Sequence, residues 1–146
     1  MKTSGGFLLS QIHQLNGRAF EKLLKESQVD AFNGPQGRIL YVLWEKDKLP
    51  ITEIGRLTSL AKTTLTSMLD RMEESGLVER IPDKENRRRI FIRITEKAKA
   101  YREQYDAVSQ QMNHLFYKGF AEEEIEAFEA LLRRIKDNLE QQGKDL

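Results

Sequence analysis

Between Leu49 and Ile94 the spacing of apolar side chains changes from the period of a helix to that of a strand, and no other feature restricts the fold as much. Ile51, Ile54 and Leu57 suit a short helix capped by Thr52, and Thr58-Ser59-Leu60 can make the bend out of it. A second helix is predicted over about Lys62 to Glu74, with Leu65, Met68, Leu69 and Met72 buried and Gly76 placed to end it. Leu77 to Ile81 can then pair with Arg89 to Ile94 through a turn centred on Asp83 to Arg87. In that strand Ile90, Ile92 and Ile94 share one face, leaving Arg89, Phe91 and Arg93 on the other. Two short helices joined by a tight bend are the elements of a helix-turn-helix, whose second helix can enter the major groove of DNA.

Longer helices flank this core. Leu8, Ile12, Leu15, Ala19 and Leu23 recur every three or four residues, with Phe20 and Leu24 widening the stripe, so an amphipathic helix is expected over 7–26. Asp30 to Pro35 carries the polar, glycine and proline signals of a loop that starts a new helix, running to about Lys46 with Ile39, Leu40, Leu43 and Trp44 buried. Beyond Thr95 the spacing of Tyr101, Tyr105, Val108, Met112 and Leu115 predicts one long helix stopped near Gly119. A last helix carries Ile125, Phe128, Leu132, Ile135 and Leu139. The fold class expected is mainly α with a small β-hairpin. A single domain over 1–146 would hold a helix-turn-helix and hairpin core at about 35–95, between terminal helices at about 7–26 and 96–142.

The basic residues concentrate in the hairpin. From Leu77 to Ile94, Arg80, Lys84, Arg87, Arg88, Arg89 and Arg93 stand against Glu79, Asp83 and Glu85, a local balance of +3 in a chain whose net charge is only +1. Nucleic-acid affinity must therefore come from the distribution of charge. Guanidinium groups at a hairpin tip can enter a minor groove or pair with phosphates. The first turns of the preceding helix offer Lys62, Thr63, Thr64, Thr66 and Ser67, flexible or short groups that reach phosphates and base edges. Arg71 and Lys84 are placed to neutralise phosphates. Each feature also has a plainer reading, a solvated helical hairpin for the first and an edge that resists strand aggregation for the second. At the level of function the competitors are a winged-helix module that docks to protein and a structural dimer without specific DNA binding.

One small winged-helix core does not need all the apolar surface of the terminal helices, and a second copy of the chain could bury it. Leu8, Ile12, Leu15, Ile125, Phe128, Leu132, Ile135 and Leu139 are the candidate dimerisation residues. A homodimer also fits DNA geometry, since paired recognition helices read half-sites about 34 Å apart. The acidic run Glu122, Glu123, Glu124, Glu126 and Glu129 favours the start of its helix but would repel DNA, so that end is expected to face away from the duplex.

Other functions find little material. With no cysteine there can be no disulfide, thiol nucleophile or cysteine redox switch. His13 and His114 lie on different helices without ligand-spaced carboxylates, so no metal site is expected, and no cofactor motif or catalytic constellation is present. No apolar run approaches the ~20 residues of a membrane span, and the first residues do not form a signal-peptide core, so a cytoplasmic protein with no membrane association is expected.

The order of helix pair, "TTLTSMLDRMEESGLVER", turn, arginine pair and "IRITEKAKA" resembles the winged-helix regulators of the multiple antibiotic resistance regulator (MarR) family. The resemblance runs through nearly the whole chain and is most specific from Ile51 to Lys97. It implies a homodimer on a pseudo-palindromic double-stranded operator, often a repressor, and often one that loses affinity when a small aromatic or lipophilic effector binds. The family's recognition-helix start matches Lys62, Thr63, Thr64 and Thr66. Its wing-tip motif, an aspartate and two arginines, matches Asn86, Arg87 and Arg88, with Arg88 in the place of the arginine that reaches the minor groove. Asn86 departs from that motif: its amide oxygen can support the wing as an acceptor but supplies no charge-assisted bond. Ala98 stands where the family tends to have glycine. The resemblance also places a candidate ligand pocket between the dimerisation helices and the winged-helix body, where Phe20, Trp44 and Phe116 are the aromatic side chains.

Overall fold

A computed structural model describes residues 1–145. Seven helices and three strands follow in the order α1 (Gly5–Glu26), α2 (Gly34–Glu45), β1 (Leu49–Pro50), α3 (Ile51–Thr58), α4 (Lys62–Glu74), β2 (Val78–Pro82), β3 (Ile90–Ile94), α5 (Glu96–Lys99), α6 (Arg102–Phe116) and α7 (Glu122–Asp145). They form two compact units, Met1–Met112 and Asn113–Leu146. No described helix is long and apolar enough to cross a membrane. The expected mainly helical fold with a small winged hairpin is the one observed.

In the first unit, Leu24, Ile39, Leu40, Leu43, Ile54, Leu65, Leu69 and Met72 are buried together with Leu77, Ile92 and Ile94 from the hairpin. Helix α2 begins with a reciprocal cap in which the Asn33 side chain accepts from the Gln36 N–H and the Gln36 side chain accepts from the Asn33 N–H. Its Gly37 lies under the Tyr105 ring: a Cβ there would stand 2.6 Å from Tyr105 Cε2. Tyr105 in turn packs against Phe20, Phe32 and Trp44 at ring separations of 5.7, 6.1 and 5.2 Å.

Strand order is β1-β3-β2, antiparallel throughout, with Val78 opposite Ile94 and Arg80 opposite Ile92. The two-residue β1 was not expected, because two residues carry no readable period. Asp47 fixes it: its Oδ1 accepts from the N–H groups of both Lys48 and Ile94, at 2.9 and 3.1 Å. Pro50 costs nothing on this outer strand, where its missing N–H has no partner to lose.

Three local expectations change. Thr52 lies inside α3 and does not cap it; the N-cap is Pro50, with no side-chain cap bond. Met68 is half-buried. The single helix expected beyond Thr95 is broken into α5 and α6, for an identifiable reason. A continuous helix would bond the Ala98 carbonyl to the N–H four residues on. Here that carbonyl accepts from Trp44 Nε1 at 3.1 Å and from the Tyr101 N–H at 3.2 Å. Thr95 does begin α5 as an N-cap, accepting from the Ala98 N–H.

The second unit comprises the last residues of α6, a turn at Gly119 with φ +86°, and α7. Phe116 and Tyr117 pack against Phe128 at ring separations of 6.5 and 6.3 Å, and Tyr117 donates a 2.6 Å hydrogen bond to Glu129.

Candidate nucleic-acid interface

Helix α4 is packed through Leu65, Leu69 and Met72, which leaves Lys62, Thr63, Thr64, Thr66, Ser67 and Arg71 exposed. Its first turn holds no acidic residue, and the N-cap Ala61 supplies no side-chain cap, so the positive end of the helix meets solvent. The bend into α4 turns at Ser59, at φ +58°, with Thr58 Oγ1 accepting from the Leu60 N–H at 3.4 Å.

The wing turn is organised by backbone N–H groups that donate to carbonyl and side-chain oxygens. The Asp83 N–H donates to the Arg89 carbonyl at 3.1 Å, and the Arg89 N–H to the Asn86 carbonyl at 3.0 Å. Asp83 Oδ1 accepts from the Glu85 N–H at 2.9 Å. Asn86 Oδ1 accepts from the Arg88 N–H at 3.0 Å. Asn86 thus holds the chain of Arg88 through a backbone bond, leaving the guanidinium in solvent. An aspartate would make the same bond.

Arginines of the hairpin divide into two sets. Arg80 is bound by Asp70 and Glu73, and Arg93 by Glu79 at 2.8 Å. None of the ion pairs among the described residues involves Lys62, Lys84, Arg87 or Arg88. Arg89 stacks on Phe91 at 4.8 Å from the ring centre, and Lys48 approaches the same ring at 5.3 Å. Cations without a carboxylate partner are therefore present both at the tip and at the start of α4.

A groove of about 530 Å³ joins these two places. It is lined by Lys62 and Thr66, one helical turn apart on α4, by Asn86, Arg88, Arg89 and Ile90 from the wing, by Arg80, and by Pro50, Ile51 and Thr52. Not one of those residues is acidic. Thr63, Thr64, Ser67, Arg71, Lys84 and Arg87 lie outside the lining but are exposed. Sequence reasoning missed Pro50, Ile51, Thr52, Arg80 and Ile90 as groove residues; only the proximity of β1 to the wing could have revealed the first three.

Phe20 and Trp44, read as pocket residues, belong to the first unit and Phe116 to the second. Trp44 is buried, and Phe20 meets the same Tyr105 ring. Burial pushes the Tyr105 phenol above its ordinary range, against the pull of a hydrogen bond with Ser109. Among the described residues no group of three His, Asp or Glu side chains could hold a metal ion.

A helix pair, a three-stranded sheet and a basic turn beside an exposed helix start define a winged helix-turn-helix regulator. Residues 32–90 match the sequence model of the MarR family, and the chain is similar to that family of DNA-binding transcription regulators, which are not enzymes. Over 134 residues it is 29% identical to the HTH-type transcriptional repressor IacR of Pseudomonas putida, covering 92% of this chain and 78% of that one. It is 36% identical to the HTH-type transcriptional regulator TtmR of Methylorubrum extorquens, but over 63% of this chain and only 46% of the relative's length. The crystal structure of a mutant MarR from Escherichia coli, complexed with operator DNA, superposes with a TM-score of 0.80 at 26% identity, over 89% of this chain and 91% of that one.

Proposed function

We propose that the chain is a cytoplasmic homodimeric repressor that binds a pseudo-palindromic duplex and is released from it by a small lipophilic or aromatic effector. The observation that carries the DNA contact is the acid-free groove between the start of α4 and the wing, flanked by cations without carboxylate partners. In this reading α4 lies in the major groove, where Lys62, Thr63, Thr64, Thr66 and Ser67 meet base edges and phosphates. Arg88 enters the adjacent minor groove, and Arg71, Lys84, Arg87 and Arg89 neutralise phosphates.

Exposed apolar side chains support the dimer. On α1, Leu8 and Leu15 are 52% and 59% exposed, and on α7 Ile135 and Leu139 are 45% and 68% exposed. Ile12 is exposed as well, while Ile125, Phe128 and Leu132 are half-buried. Such side chains at helical spacing are costly in water, and a second copy would cover them. Repression is favoured by the relative from Pseudomonas putida that is named a repressor. A ligand that altered the separation of the two recognition helices would weaken engagement of both half-sites.

Fluorescence anisotropy on the upstream intergenic duplex and a scrambled duplex, at two salt concentrations, tests the reading. Wild type should prefer the native duplex, and Arg88→Ala should lose affinity mainly there. Equal loss on both duplexes would make Arg88 a general electrostatic contact, and binding to neither duplex nor to distant candidate operators would put a protein-docking role first. Light scattering that gave a monomer would remove the dimer.

A further inference from the structure

We infer that Arg80 is a positioning residue that fixes the angle between the recognition helix and the wing. The inference rests on the DNA-binding reading above and deepens it. Arg80 stands on the sheet face shared with Ile92, which is turned toward α4. Its Nη2 donates to Asp70 Oδ1 at 2.7 Å and its Nη1 to Glu73 Oε1 at 2.9 Å. The Arg80 backbone N–H donates to the second oxygen of Glu73 at 3.2 Å. Three bonds thus join the wing strand to two residues one turn apart on α4. The Arg80 side chain is only 21% exposed, well below its two partners.

Such a fork has little freedom, because a planar guanidinium bonded to two carboxylates fixes both distance and direction. Its position gives it leverage. Lys62 and Asp70 are eight residues apart on one rigid helix, about 12 Å of axis, so a rotation of about 10° at the clamp moves the start of α4 by about 2 Å. That displacement exceeds what a base-edge hydrogen bond tolerates. The two carboxylates are also telling, since acids on a DNA-facing element oppose binding unless they hold something in place. With Arg80 committed to them, specificity is expected to depend on Arg80 although it reads no base.

The test uses the full-length chain, a duplex that wild type selects from a random-sequence pool, and a scrambled duplex. Two variants are compared, Arg80→Met, which keeps the stem, and the double variant Asp70→Asn/Glu73→Gln, which keeps the arginine. The positioning role predicts that both variants lose about tenfold or more of the preference for the selected duplex. In the double variant affinity for the scrambled duplex should rise, because two negative charges are gone from each protomer. If Arg80 instead contacts DNA, its release in the double variant strengthens binding to both duplexes with preference intact, and the inference falls. Should Arg80→Met fail to fold, the double variant decides alone. Amide hydrogen exchange provides a readout independent of DNA: in the double variant the amides of 78–81 should exchange faster while those of Ile39 to Leu43 do not change. Unchanged exchange would overturn the clamp. If wild type selected no sequence, the DNA reading would fail while exchange still judged the clamp.

Discussion

Replacing Asn86 with alanine separates the support of the wing from its charge. The substitution removes one hydrogen bond, from the Arg88 N–H to Asn86 Oδ1 at 3.0 Å, and no ion pair. Both residues are exposed, so water takes over the freed N–H and the net loss lies at the low end for a hydrogen bond, about 0.5–1 kcal/mol. That loss is felt on binding, when the loosened turn must be ordered again. Two wings in the proposed dimer bring it to about 1–2 kcal/mol, a five- to thirty-fold weaker complex. The slope of affinity against salt should not change, because no phosphate contact is lost. Arg88→Ala, by contrast, should lower that slope by about 1.8 per dimer if each arginine neutralises one phosphate. Asn86→Asp keeps the acceptor and should bind more tightly than Asn86→Ala despite its added negative charge. Anisotropy titrations across a salt series measure all three variants. An Asn86→Ala protein with wild-type affinity, or with the reduced slope of Arg88→Ala, would refute the reasoning.

Gly37→Ala should destabilise the first unit by about 1–3 kcal/mol in urea unfolding, because the new methyl meets the Tyr105 ring at 2.6 Å and Phe32 at 3.2 Å, two buried rings with little room to move. Phe91→Leu removes the ring beneath Arg89 and Lys48, and a contact worth about 0.5–1 kcal/mol in each of the two wings of the proposed dimer predicts a fall of about five- to thirty-fold in duplex affinity with an almost unchanged thermal midpoint. In the second unit the Tyr117 phenol is pushed up to about 12, first by burial and then by the hydrogen bond it donates to Glu129. A raised phenol stabilises the fold fully below its ordinary value near 10, and that contribution disappears as pH climbs toward about 12. Tyr117→Phe should lack this alkaline loss in pH-dependent unfolding followed by circular dichroism.

Local periodicity was enough to place α4 at Lys62–Glu74, to end it at Gly76, and to pair the strands within one residue of their observed limits. Each of these depends on residues near one another in the chain: an apolar stripe at helical spacing, a glycine at positive φ, isoleucines alternating on one face. The cationic tip was legible for the same reason, since the turn between the two strands leaves Arg87 and Arg88 no core to enter.

Tertiary structure decided everything that needed a partner distant in sequence. Asp47 and Ile94 create β1, and Trp44 diverts the Ala98 carbonyl and breaks the helix expected beyond Thr95. Equal charge in the sequence became unequal availability in space: Arg80 and Arg93 found carboxylates, whereas Arg87 and Arg88 did not. A list of charges cannot contain that difference, because an ion pair depends on where the backbone brings two side chains, and only the packing of α4 against the sheet brings Asp70 and Glu73 to Arg80.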